Sequence, residues 1–177
     1  MFLRKKIFAV LALSLVLVCS AQAKKLSLLA ISKGEAPDDN KRCEVSLSED
    51  NGDKHGDFTL LLKFEQKGWA AVDKPKKGGW SSYKTVHLNI FNPSDKALDS
   101  VAFMVKGAKM TETPDNRKDW PLALKPGKNE VVLELKGQIC ADGKSVLDVS
   151  HVLRWAFYNL TDTDGIVIYI QRIWLEE

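Results

Sequence analysis

The chain of 177 residues predicts an all-β fold, a sandwich of two antiparallel sheets, and three features point that way. Apolar and polar residues alternate at period two in several segments, and β-branched and aromatic residues concentrate there. Clusters of Gly, Pro, Asn and Asp separate these segments at short intervals, as the turns of a sandwich require.

Taken in order, Leu26 to Ser32 is a weak strand candidate, Cys43 to Ser48 and Asp57 to Phe64 are firmer ones, and Trp69 to Val72 is a short piece. Lys84 to Asn92 is the clearest strand, because Val86, Leu88 and Ile90 alternate with Thr85, His87 and Asn89. Asn92-Pro93-Ser94-Asp95 turns the chain into a second strand, Leu98 to Lys106. Asn129 to Leu135, His151 to Leu160 and Gly165 to Leu175 complete the set, and the β-branched and aromatic content of Val152 to Leu160 favours a strand over a helix there. Residues 107 to 120, rich in Thr, Asp, Asn and Lys, read as a long polar loop.

The first 23 residues have the three parts of a secretory signal: Arg4, Lys5 and Lys6, an apolar run from Ile7 to Val18, and Ala21-Gln22-Ala23 at the cleavage site. Export as a soluble protein, periplasmic or extracellular, is the expectation. A lipid anchor on Cys19 is disfavoured by the bulky Val18 before it. Removing 23 of 177 residues leaves 154, enough for one β-sandwich domain over residues 24–177. The signal holds three of the 26 basic residues, so the remaining 23 balance 23 acidic ones. That neutrality argues against nucleic acid as a partner, which needs a clustered positive surface, and no later segment is apolar enough to span a membrane. Cys43 and Cys140 remain, an even count in an oxidising compartment, which allows one disulfide; two buried thiols are the alternative.

Gly79-Trp80-Ser81-Ser82-Tyr83, followed by Val86-x-Leu88-x-Ile90-Phe91-Asn92-Pro93-Ser94-Asp95, resembles the galactose-binding-like jelly rolls that serve as carbohydrate-binding modules beside glycoside hydrolases. Val45 to Ser48, Gly56 to Leu60, Leu124 to Val131, Leu147 to Val152 and Ile168 to Leu175 match later and earlier pieces in order, so the resemblance spans residues 43 to 175. It implies a jelly-roll sandwich that recognises a carbohydrate without catalysing a reaction. Gln171 stands where that family commonly carries an acid, which argues against a structural calcium ion, and no other cofactor is expected.

Alternation leaves His87, Asn89 and Phe91 facing away from the core on one strand, Arg154 and Tyr158 on another, and Tyr169 and Gln171 on the last. If these strands are neighbours, the residues form one surface of the kind sugars bind: rings stack on the apolar side of a pyranose, while amides and guanidinium groups bond its hydroxyls. Trp69 and Trp120 lie at strand or loop edges beside Gly68 and Pro121, and Trp120 is the candidate platform, whereas Trp80, Tyr83, Trp155 and Trp174 read as packing. The alternative for the outward set is a mere cover for the outer sheet. His55, His87 and His151 show no metal-site spacing, and no nucleophile elbow, phosphate loop or dinucleotide fingerprint occurs. The rival function is a structural or adaptor role, with a protein partner bound through the same sandwich.

Overall fold

The computed structural model describes residues 23–52, 57–107 and 116–177. Nearly all of the predicted signal, His55 and most of the polar loop at 107–120 lie outside the described residues. Among the described residues nine strands follow one another: β1 (Lys25–Ser27), β2 (Asp39–Ser48), β3 (Thr59–Asp73), β4 (Thr85–Asn92), β5 (Leu98–Lys106), β6 (Arg117–Leu124), β7 (Gly127–Glu134), β8 (Arg154–Asn159) and β9 (Ile166–Glu176). Every pairing is antiparallel.

The two layers of the sandwich are hydrogen-bonded into one path, β6-β5-β8-β3-β9-β4-β7, with β1 on β9 and β2 on β3. Continuity comes from β3, which the sequence divides into two pieces but the structure keeps as one 15-residue strand. Its first half, Leu60 to Phe64, pairs with β9, and its second half, Trp69 to Asp73, pairs with β8. At the bend, β2 is bulged between Lys41 and Cys43, and Arg42 and Lys67 have φ near 51° and 50°. Gly68 allows the two backbones to meet: a Cβ there would lie 1.9 Å from the Arg42 carbonyl oxygen.

The core lies between the layers. Leu60, Leu62, Phe64, Val86, Leu88, Ile90, Ile168 and Ile170 point in from one layer, and Phe103, Leu122, Trp155 and Phe157 from the other. Burying each such side chain contributes about 1.5–3 kcal/mol before conformational entropy is counted. Two buried asparagines fasten turns to this core. The Asn92 Nδ2 donates to the carbonyls of Lys96 and Leu124 while its Oδ1 accepts from Ser94. Asn159 repeats the device, donating to Glu65 and Thr163 and accepting from Thr161. Trp80 and Tyr83 are buried as packing residues, and the Trp80 Nε1 donates to the Lys77 carbonyl at 2.7 Å.

Two expectations are corrected here. Residues 117–120, expected as loop, belong to strand β6, because Lys118, Trp120, Leu122 and Leu124 share the inward side with Val105, Phe103 and Val101 of β5, while Arg117, Asp119, Pro121 and Ala123 face outward. Cys43 and Cys140 are buried as separate thiols, so the predicted bridge is not formed. Cys43 is fixed in β2 opposite Phe64, whereas Cys140 belongs to the segment after β7, where its N–H donates to the Ser145 carbonyl and the N–H of Ala141 donates to Arg117 of β6.

Candidate functional site

The outward-facing set of the sequence analysis divides between opposite sides of the sandwich, because β8 lies in the other layer from β4 and β9. His87, Asn89, Phe91 and Tyr169 share the outer face of the β4–β9 layer. There they are largely partnered by one another. The His87 ring stacks on Trp174 at 4.9 Å and 14°, the Lys25 ammonium lies 5.4 Å from that tryptophan ring, and Phe91 meets Tyr169 edge-on at 6.3 Å. A carboxylate oxygen of Glu176 lies 3.1 Å from both the Trp174 Nε1 and the Lys25 Nζ. The Asn89 Oδ1 is buried with no partner among the described residues. Gln171 is the extra residue where the β4–β9 register shifts, and it turns to donate to the Asn51 carbonyl. Trp120 points inward, 6.3 Å from Phe103, with Lys118 over its ring, so it offers no exposed platform.

Arg154 and Tyr158 lie on the opposite face, where β3, β8, β5 and β6 build a groove of about 390 Å³. Register explains its shape. Ala71, Ala156 and Met104 lie side by side in the middle of these strands, flanked by Trp69, Tyr158 and Ala102 in one direction and by Asp73, Arg154 and Lys106 in the other. Ala71, Ala102 and Ala156 are almost fully buried, so small side chains form a floor from which Trp69 and Tyr158 rise. Arg117, Asp119 and Leu160 complete the walls.

The polar groups of the groove hold one another in place. Arg154 engages both carboxylate oxygens of Asp73, the second at 2.7 Å, and a carboxylate oxygen of Asp39 at 3.0 Å. The Arg154 guanidinium keeps the Asp73 carboxyl below its ordinary range. Asp39 also accepts from the Trp69 Nε1 at 3.4 Å, while the Lys41 ammonium lies 5.4 Å from that ring. Asp119 accepts from the Arg117 Nε at 3.0 Å, and its other carboxylate oxygen is buried without a partner among the described residues. Burial first, and then the Asp119 charge, push the Tyr158 phenol up to about 12. Tyr158 is therefore a neutral donor and acceptor throughout the physiological range. The groove thus combines two neighbouring aromatic side chains with preset guanidinium, carboxylate and phenol groups, a set that can stack on sugar rings and bond their hydroxyls.

Trp69 is read from the sequence only as an edge tryptophan beside Gly68, and Met104, Arg117 and Asp119 are not read as site residues. The last two fall in the segment read as loop. The available signal was the small residues Ala71, Ala102 and Ala156 at outward positions next to large ones. Among the described residues, no group of His, Cys, Asp and Glu side chains could hold a metal ion.

No family model and no curated protein matches the chain. Solved structures do. A family 11 carbohydrate-binding module of a cellulosomal cellulase from Clostridium thermocellum superposes with a TM-score of 0.62 at 12% identity, over 87% of this chain and 94% of that one. A family 29 carbohydrate-binding module in complex with mannohexaose gives 0.56 at 12% identity, over 88% and 92%. An exo-β-agarase gives 0.64 at 13% identity, with 85% of this chain covering 25% of the agarase. The fold is therefore that of the carbohydrate-binding-module sandwiches, as the resemblance in the sequence implies.

Proposed function

We propose that this protein is an exported, non-catalytic carbohydrate-binding module that holds a poly- or oligosaccharide in the groove across β3, β8, β5 and β6. The observation that carries the reading is the alanine floor with Trp69 and Tyr158 side by side above it, among Arg117, Asp119 and Arg154. Rings in register along a groove present apolar faces to successive sugars, and hydrogen-bonding groups already held in place lose little entropy when a ligand arrives. The similar structures support the same class, since one is described with a β-1,3-1,4-linked tetrasaccharide and another with mannohexaose. The residues assigned to the ligand are Trp69, Arg117, Asp119, Arg154 and Tyr158. His87, Asn89, Phe91 and Tyr169 are given instead to the packing of the opposite face, and Gln171 and Trp120 to local structure.

Affinity electrophoresis in gels containing mixed-linked glucan, mannan or agarose tests this. Trp69→Ala and Tyr158→Ala should each weaken retardation by about tenfold, the loss of roughly 1.4 kcal/mol of stacking. Phe91→Ala should leave it unchanged. Retardation lost in Phe91→Ala but kept in Tyr158→Ala would move the site to the other face and contradict the proposal.

A further inference from the structure

Trp69 is held from outside the groove, by β2. That strand runs beside the second half of β3, with Asp39 opposite Ala71 and Lys41 opposite Trp69, so both lie on the groove side of the sheet with their partners. Ala71 has no side chain beyond Cβ and leaves the space above β3 open to the Asp39 carboxylate. Arg154 reaches that carboxylate from β8, on the far side of β3, and Trp69 reaches it from β3 itself. Both end on the same oxygen: Oδ2 of Asp39 lies 3.0 Å from the Arg154 Nη2 and 3.4 Å from the Trp69 Nε1. Asp39 is not among the residues that line the groove.

The two donors depend on this oxygen unequally. Arg154 also engages both carboxylate oxygens of Asp73 and keeps its place without Asp39. The Trp69 Nε1 hydrogen-bonds to Asp39 alone among the described residues. The Lys41 ammonium lies over the same indole, 5.4 Å from its centre, but attraction to a ring face lets the ring turn beneath the charge, whereas a bond at Nε1 fixes one edge of it. Asp39 is in turn set by its backbone. The N–H of Asp38 donates to the Ala71 carbonyl at 3.1 Å, and the Asp38 carboxylate accepts from the Asp73 N–H at 3.2 Å. The carboxylate that holds Trp69 is therefore tied to the same stretch of β3 that carries Trp69.

We propose that Asp39 is a positioning residue for glycan binding: it sets the Trp69 indole in the orientation in which the ring stacks on a sugar, beside the Arg154 guanidinium, and makes no contact with the sugar itself. This rests on the groove being a glycan site. A ring fixed before the ligand arrives loses less rotamer freedom on binding, so the contribution of Asp39 appears as affinity.

Calorimetric titration of the protein with mannohexaose, a mixed-linked glucan tetrasaccharide and an agarose hexasaccharide tests it. For a probe that binds, Asp39→Ala should weaken affinity about fivefold to tenfold, and Asp39→Asn, whose amide oxygen still accepts from the indole, about twofold. In a Trp69→Phe background, where the ring has no N–H to hold, Asp39→Ala should weaken it by about twofold at most. In the free protein, proton–nitrogen spectra should show the Trp69 indole resonance moved by Asp39→Ala while those of the buried Trp80 and Trp155 stay, which also shows that the variant is folded. An unmoved Trp69 indole, an equal loss from Asp39→Ala in both backgrounds, or Asp39→Asn as weak as Asp39→Ala would overturn the positioning role. Binding still lost in Tyr158→Ala would then leave the groove reading standing. Failure of all three probes to bind, or binding indifferent to Tyr158→Ala, would overturn both.

Discussion

Tyr158 joins the chemistry of the groove to the stability of the fold. Its phenol is raised to about 12 by burial and by Asp119, so the folded state favours the neutral form. Stability from this source is complete below the ordinary tyrosine pKa of about 10 and is lost as pH rises through the folded value. Ultraviolet titration of tyrosinate should therefore show a tyrosine that stays un-ionised until about 12, and Asp119→Asn should lower that midpoint only in part, because burial is the larger cause. A titration finished near pH 10 would contradict the placement of Asp119 beside the phenol. The Asp73 and Arg154 pair has the opposite sign: with the Asp73 carboxyl held low, its contribution is full above the ordinary aspartate range and is lost only as acid titrates the folded group. Arg154 and Tyr158 were legible as outward residues because their neighbours Trp155 and Phe157 are plainly core. Their partners Asp73, Asp39 and Asp119 were not, since ion pairs between distant strands leave no local pattern in a sequence.

Among the elements, β3 decides most. One strand serves two layers because Gly68 lets it cross the Arg42 carbonyl at its bend, and no side chain fits there. Gly68→Ala should cost about 2–4 kcal/mol in urea unfolding, in the range of a backbone clash that cannot relax through a flexible side chain. Glycan binding should fall with it, since Trp69 follows directly. A loss under 1 kcal/mol would contradict the close crossing, because without a clash the change to Ala stabilises the protein by about 0.4–1 kcal/mol through the unfolded chain. Strand existence was legible almost everywhere because period two is strong in Val86, Leu88 and Ile90 and in Ile166, Ile168 and Ile170. Breaks in that period were harder to see. In β9 the inward residues pass from Ile170 to Ile173, which marks the bulge at Gln171 and explains why this residue turns toward Asn51 instead of lying flat on the face. In β6 the charged run Arg117-Lys118-Asp119 and then Pro121 mask the alternation that Trp120, Leu122 and Leu124 continue.

On the scale of the whole molecule, the fold was legible and the choice of face was not. Motif order carries the sandwich, but alternation tells only that a residue points outward, and a sandwich has two outsides. Which one a strand belongs to depends on the path β6-β5-β8-β3-β9-β4-β7, set by pairings distant in sequence. The same gap separates cysteine count from cysteine pairing, since an even count says nothing about whether two thiols meet. Burial pushes the Cys43 thiol up to about 12, which makes it unreactive in the folded protein. Alkylation in denaturant without reductant should label both Cys43 and Cys140, whereas a cross-linked peptide joining them would contradict the separate thiols. The central claim is that ligand and groove meet on the face of β3, β8, β5 and β6. Nitrogen-15 nuclear magnetic resonance during titration with an oligosaccharide that binds tests it most directly. Amide and indole shifts are predicted to concentrate at Trp69 to Asp73, Ala102 to Lys106, Arg117 to Pro121 and Arg154 to Tyr158, with β4 and β7 still. Shifts centred on His87 to Phe91 and Tyr169 to Trp174 would contradict it.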